Sequence, residues 1–301
     1  MKKIILFALI LFPLVSMSQQ WKKTRKEVLL GTGAANLLGD LGGADQIGTH
    51  FMKDLEISLT RPVVAAGYRY KISPTIAVKG FGGWARLAGN DALTLEPARN
   101  NRNLSFRTNI ITASAHFEYS VVEEKVKSKY SRYSRKGKKF PFNVYFFGEM
   151  GPFYFNPKGQ YLDGKWYKLK PLHTEGQGLP GSEAKDYSLV QFCVPLGIGL
   201  KYPINREWSI GLEYSITKTF TDYIDDVSSV YYDNDAIRTA YGDVAAYFAD
   251  PSTTPTREAP IKGGTNPGEK RGEVTYNDSF MFAWLHVTYK ITGTSKSRVK
   301  F

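Results

Sequence analysis

Alternation of apolar and polar residues, rather than long apolar runs, organises this chain. From Trp208, the residues Trp208, Ile210, Leu212, Tyr214 and Ile216 are apolar, while Ser209, Gly211, Glu213, Ser215 and Thr217 between them are small or polar. A period of two predicts a strand with one face against an apolar medium and the other against a polar one. Its length of about ten residues is what a tilted strand needs to cross a bilayer. The pattern returns over 192–202, where Phe192, Val194, Leu196, Ile198, Leu200 and Tyr202 alternate with Cys193, Pro195, Gly197, Gly199 and Lys201. It returns again at Ile111–Ser120 and over 281–291, with Glu118 and His286 on the polar faces. Four further segments, 27–36, 62–71, 75–87 and 143–155, carry it less cleanly. Eight strands are the minimum for a membrane barrel.

The connections alternate in length. Strands two and three are joined through Ser73-Pro74, and strands six and seven through Pro203-Ile204-Asn205-Arg206. The intervening connections are long: the segment before 62, then 89–106, 156–187 and 220–279. Short turns at one end and long loops at the other match the periplasmic and extracellular ends of an outer-membrane barrel. The chain is thus read as all-β, an eight-stranded antiparallel transmembrane β-barrel. The loop 220–279, with its Pro/Thr/Gly-rich stretch 251–270, is expected to be mobile.

The N-terminus supplies a compartment. Met1-Lys2-Lys3 is a basic n-region, 4–15 is an apolar run too short to span comfortably, and Ser16-Met17-Ser18 is a small-x-small cleavage site. Residues 1–18 are read as a signal peptide and 19–301 as the barrel domain, exported to the outer membrane of a Gram-negative bacterium. Aromatics at 14% and 28 glycines suit aromatic girdles and a crowded lumen. A single cysteine, Cys193, excludes an internal disulfide framework. The formal charge of +12 would suit nucleic acid in the cytoplasm; export turns that reading toward a membrane surface or a protein partner.

One periplasmic connection breaks the length rule. Residues 122–141 set Lys125, Lys127, Lys129, Arg132, Arg135, Lys136, Lys138 and Lys139 against Glu123 and Glu124. Such an arm is either a solvated linker held near anionic phospholipid or a docking arm for an acidic partner, with Tyr130 and Tyr133 as anchors.

Chemistry is sparse. The four histidines are scattered, and no Ser-His-Asp motif or metal-spaced His/Cys cluster is recognisable. Lumen-facing Glu27, Arg69, Lys79, Glu118, Glu149, Lys201, Glu213 and His286 are expected to pair and fill a narrow barrel rather than catalyse. Asp222, Tyr223, Asp225 and Asp226 open the last long loop. The aspartates suit a hard cation, but lack EF-hand spacing, and capping of the rim is the simpler role. No cofactor is implied.

Four segments carry a resemblance. Asn103-Leu-Ser-Phe-Arg-Thr-Asn-Ile110, Tyr154-Phe-Asn-Pro157, the stretch 171–178 and the stretch 219–228 resemble the PorG family of small Bacteroidota outer-membrane barrels. The likeness runs from about Glu27 to Ile291. It implies a non-enzymatic subunit of the type IX secretion and gliding machinery, tying a periplasmic ring of a lipoprotein and a soluble protein to the outer membrane. The partners expected are therefore outer-membrane lipid and those ring proteins. A small porin for solutes is the alternative.

Overall fold

The computed structural model describes residue 21 and residues 24–41, 57–123, 142–252 and 264–292. The leader 1–18 and the eight arm cations from Lys125 to Lys139 lie outside these residues, as do Tyr130 and Tyr133.

Eight long strands form one closed antiparallel sheet. They are β1 (Lys26–Leu38), β2 (Arg61–Lys71), β3 (Ile76–Asn90), β4 (Ser105–Val122), β5 (Asn143–Tyr154), β8 (Val190–Pro203), β9 (Trp208–Thr219) and β10 (Ser279–Ile291). Neighbours run β3-β2-β1-β10-β9-β8-β5-β4, and β3 pairs with β4 to close the ring. The short strands β6 (Lys158–Gln160) and β7 (Trp166–Lys168) continue the sheet above β4, outside the ring. Closure removes the free edges that lipid cannot satisfy.

The alternation read from the sequence maps onto two environments. On β9, Ser209, Glu213 and Thr217 are buried inside, while Trp208 and Leu212 are exposed on the outer wall. On β4, His116 and Glu118 are inside, and Ile111, Phe117 and Tyr119 are outside. Exposed Leu30, Met150, Phe192, Leu196 and Leu285 extend the outer apolar band around the barrel. At one margin Trp208 packs on Tyr289, with ring centroids 4.8 Å apart. An apolar band edged by aromatic rings is the outer surface of a transmembrane barrel.

Two loop readings, 89–106 and 220–279, need correction. Part of the connection 89–106 is barrel wall, because β3 runs to Asn90 and β4 begins at Ser105. The wall therefore rises beyond the apolar band, and a 3-10 turn (Asp91–Leu93) and a short helix, α1 (Pro97–Arg102), lie in the connection proper. The connection 156–187 contains the β6–β7 hairpin. The loop 220–279, expected to be mobile, instead carries α2 (Asn234–Tyr241) and α3 (Asp243–Ala249), with Ile224, Val227, Ile237, Ala245 and Phe248 buried. Apolar side chains spaced for burial were present there, but their partners lie on other loops. Residues 253–263 of this loop fall outside the described residues.

Inside the barrel, glycine makes room for large side chains. Gly199 on β8 faces the ring of Tyr145 on neighbouring β5, which lies over β8 and overlaps the place a Cβ would take. That ring cannot swing aside, because its hydroxyl donates to Glu213 Oε1 at 2.5 Å. Gly80 on β3 faces open space instead. Gly199→Leu is expected to cost roughly 2 kcal/mol or more through overpacking, and Gly80→Leu close to nothing. Heat-modifiable electrophoretic mobility and urea midpoints of the refolded barrels measure both; equal behaviour of the two variants contradicts this packing.

Candidate functional site

The interior is built in layers. Toward the end with the short turns, β1 Glu27, β2 Arg69 and β3 Lys79 stand side by side, since Glu27 pairs with Arg69 and Arg69 with Lys79 across the strands. Period two turns all three inward. Arg69 reaches three carboxylates on three strands: Glu27 at 3.1 Å, Glu118 at 2.6 Å and Glu213 at 3.1 Å. Lys79 Nζ donates to both oxygens of Glu213 at 2.8 Å and stands 3.2 Å from Glu118. Lys201 and Lys71 close on Glu27 at 3.1 and 2.7 Å. Tyr145 and the Trp284 indole N–H also donate to Glu213.

The next layer holds His116, whose Nε2 lies 2.7 Å from Glu149 Oε2, and the Ser114 hydroxyl, which donates to the same oxygen at 2.8 Å. His286 Nε2 stands 3.6 Å from Glu213, and its Nδ1 lies 3.1 Å from the Thr288 hydroxyl. Beyond it the filling turns apolar. Phe153, Phe280, Phe282 and Trp284 stack inside the wall, and Ile224 and Tyr187 descend onto them from the loops. Two interior cavities, one beside Glu149 and Trp284 and one beside Arg69 and Lys201, each have room for about one water molecule. Among the described residues, the charged and aromatic layers fill the lumen around these two cavities.

All eight residues expected in the lumen are buried there: Glu27, Arg69, Lys79, Glu118, Glu149, Lys201, Glu213 and His286. The structure brings Glu27, Arg69, Lys79, Glu118, Lys201 and Glu213 into one ion network, and sets Glu149 apart with His116. Lys71, in phase with Arg69, and Trp284 and Lys290, in phase with His286, belong to the same interior, as does Tyr145, whose strand has no clear phase in the sequence.

Above the barrel mouth all four long loops meet in a folded cap. Arg102 at the end of α1 donates to Asp91 at 2.6 and 2.9 Å, to the Arg271 carbonyl at 2.5 Å and to the Asp40 carbonyl at 2.8 Å. Arg271 in turn donates to Glu175 at 2.9 Å and to the Asp226 carbonyl at 2.7 Å. The aspartates after β9 act within this clasp. Asp226, held at φ 68°, accepts from the Tyr187 and Thr174 hydroxyls at 2.6 and 2.7 Å. Asp225 accepts from the Leu41 and Val227 amides, both at 3.1 Å. Tyr223 stacks on Tyr187 with ring centroids 4.7 Å apart. Asp278 accepts from the Ile224 amide at 2.8 Å and so seats the residue that plugs the mouth. Among the described residues, no group of three His, Cys, Asp or Glu side chains converges on a metal position. Glu175, Arg271 and Asp278 had no local signal in the sequence, because the cap partners named here lie 45 to 96 residues away; Arg102 pairs with Asp91 11 residues off, but its contacts with Asp40 and Arg271 span 62 and 169.

The segments 103–110, 154–157, 171–178 and 219–228 come together here. Asn103 closes α1 in the left-handed conformation at φ 54°, the Asn156 amide donates to Thr108 Oγ1 at 2.9 Å, and Thr174 and Glu175 hold Asp226, Ser228 and Ser229.

No protein-family model and no curated protein sequence matches the chain. Solved structures similar to it include the attachment invasion locus protein Ail of Yersinia pestis, at 8% identity over 88% of this chain and 97% of that one, with a TM-score of 0.38. Neisserial surface protein A is similar at 8% identity over 88% and 96%, with a TM-score of 0.39. The outer membrane protein OprG of Pseudomonas aeruginosa is similar at 8% over 90% and 98%, with a TM-score of 0.32. These likenesses concern the course of the chain and assign no function.

Arg69→Met leaves three buried carboxylates short of their shared cation, and removing one partner of a buried ion pair costs roughly 3–5 kcal/mol. Urea unfolding in lipid vesicles should show that loss, with Arg69→Met/Glu118→Gln recovering part of it; an unchanged midpoint contradicts the network. In the cap, burial pushes the Asp222 carboxyl up to about 8, with Asp40, Glu175 and Glu273 adding repulsion. Burial likewise raises Asp225 and Asp278, and each is raised further by its acidic neighbours, Asp40 and Asp222 among them. Arg102 opposes the shift at Asp225. A carboxyl whose folded value is raised stabilises the folded state below its unfolded value near 4 and loses that stabilisation as pH rises toward 8. Cap amides should therefore exchange hydrogen faster at pH 8.5 than at pH 5 after correction for the chemical rate, with Asp222→Asn flattening the trend. Exchange that slows with rising pH contradicts the assignment.

Proposed function

We propose that this chain is a non-enzymatic subunit of the type IX protein secretion machinery, sitting in the outer membrane and anchoring a periplasmic lipoprotein-containing ring there. The observation that carries the proposal is the combination of a filled lumen with one long basic connection. Layers of ion pairs and aromatic rings leave room inside for single waters, so the barrel suits holding a position in the membrane better than passing solutes. Its periplasmic turns at 72–75 and 204–207 are short, as such turns are in membrane barrels. The connection between β4 and β5 is long and carries eight cations over 125–139. Charge of one sign, concentrated where the architecture needs only a tight turn, fits recognition of an acidic partner. The resemblance of the cap-forming segments to PorG-like barrels supports the same role.

The leader 1–18 delivers the chain to the periplasm of a Gram-negative cell, and barrel insertion puts the short turns and the arm on the periplasmic side. The folded cap then faces outward. Lumen histidines and carboxylates in this reading satisfy one another and perform no chemistry on a substrate.

A detergent-solubilised affinity capture from the native organism tests the reading. Wild-type barrel is compared with a variant in which Lys125, Lys127, Lys129, Arg132, Arg135, Lys136, Lys138 and Lys139 are changed to Gln. Recovery of periplasmic ring proteins by wild type alone is the expected result. Recovery by neither protein overturns the anchoring role, and equal recovery by both removes the arm from the contact.

A further inference from the structure

A row of unneutralised cations crosses the outer wall just above the apolar band. On β3, β4 and β5, Trp84, Ile111 and Tyr154 face outward in cross-strand register. Two residues further along, Arg86 on β3 pairs with Asn109 on β4. Two further still, Arg107 on β4 pairs with Lys158 on β6, and Lys158 pairs with Lys168 on β7. Thr108 and Ile110 alternate with these positions on β4 and are buried inside, so Arg86, Arg107, Lys158 and Lys168 share the outer face.

Three features set this row apart from ordinary surface lysines. First, among the described residues none of the four takes part in an ion pair, although like charges directly opposed across strands destabilise a sheet. Arg107, Lys158 and Lys168 stand in three successive strands at the same register, with strands roughly 4.8 Å apart. Second, the guanidinia are held against aromatic faces. Arg107 lies 3.5 Å from the centroid of Trp166 and Arg86 lies 6.0 Å from that of Trp84. The Arg86 Nε also donates to Asn109 at 3.2 Å. Stacked guanidinia keep their N–H fork free and oriented, which suits bidentate binding of a phosphate. Third, the depth fits. At about 3.3 Å per residue along a tilted strand, positions two to four residues past the aromatic margin lie roughly 5–10 Å beyond the hydrocarbon edge, among lipid headgroups.

We propose that Arg86, Arg107, Lys158 and Lys168 form a binding site for the phosphate groups of an anionic glycolipid in the outer leaflet. The anion relieves the repulsion along the row, the two arginines grip it in a fixed geometry, and the lysines supply point charges beside it. The β6–β7 hairpin has a purpose in this site, since it carries the sheet beyond the ring and adds two of the four cations. The membrane orientation of the preceding section is assumed. The binding chemistry is independent of any secretion partner, so the two readings fail separately.

The test uses the full mature chain, purified and folded in detergent, with bis-phosphorylated lipid A as the probe and its dephosphorylated form as the control. Binding is read by native mass spectrometry, and folding by heat-modifiable mobility. The variant Arg86→Gln/Arg107→Gln/Lys158→Gln/Lys168→Gln should bind the phosphorylated lipid at least about tenfold more weakly than wild type, as expected for losing several charge-assisted bonds. Lys218→Gln, which removes an isolated outer-wall cation on β9, should bind like wild type. Equal binding by the quadruple variant, or equal binding of the dephosphorylated lipid by wild type, overturns the proposal. Displacement of the lipid by millimolar inorganic phosphate would overturn the assignment to a membrane glycolipid.

Discussion

The guanidinium of Arg69 is the point on which the interior depends. A closed barrel in lipid gives inward-facing charges no route to bulk water except along the lumen, so they must neutralise one another or the wall cannot close around them. Arg69 on β2 meets Glu27 from β1, Glu118 from β4 and Glu213 from β9. Those strands lie on different sides of the ring, and a slip of one residue in any of them would turn its carboxylate out into lipid. The ion network thereby fixes strand register across the barrel, which local hairpin contacts alone would leave looser. Gly199 serves the same end by letting Tyr145 reach over β8 to Glu213 on the next strand.

From this layer upward the molecule becomes steadily less polar and then polar again. Phenylalanines and Trp284 fill the wall above the ion pairs, Ile224 and Tyr187 plug the mouth, and the Arg102 and Arg271 clasps lock four loops over it. Among the described residues, nothing in this arrangement resembles a conduit. The features left to interact with other molecules are on the outside: the long basic connection at one end, and the cationic row of the outer wall at the other.

The parts legible in the sequence were those governed by short-range periodicity. Period two on β4, β8, β9 and β10 located strands, assigned their faces and pointed Glu118, Glu213 and His286 inward. Loop-length alternation ordered the ends. The cap was illegible for a physical reason: Arg102 with Arg271, and Asp225 with Leu41, are contacts between loops separated by most of the chain, and nothing local marks them. Asp222, Asp225 and Asp226 were visible as an acidic cluster, yet only the fold shows them holding hydroxyls and amides of other loops. The cationic row illustrates both cases, since Arg86 and Arg107 are each in readable strand phase while their alignment with Lys158 and Lys168 needs the β6–β7 hairpin.

A lumen sealed by its own side chains should pass no ions. Single-channel recording of the full mature chain in planar bilayers at neutral pH checks this. A silent membrane is expected from protein whose insertion is verified by protease protection. Stable, reproducible open-channel steps from the wild-type barrel would contradict it and make passage of solutes the better description of what this protein does.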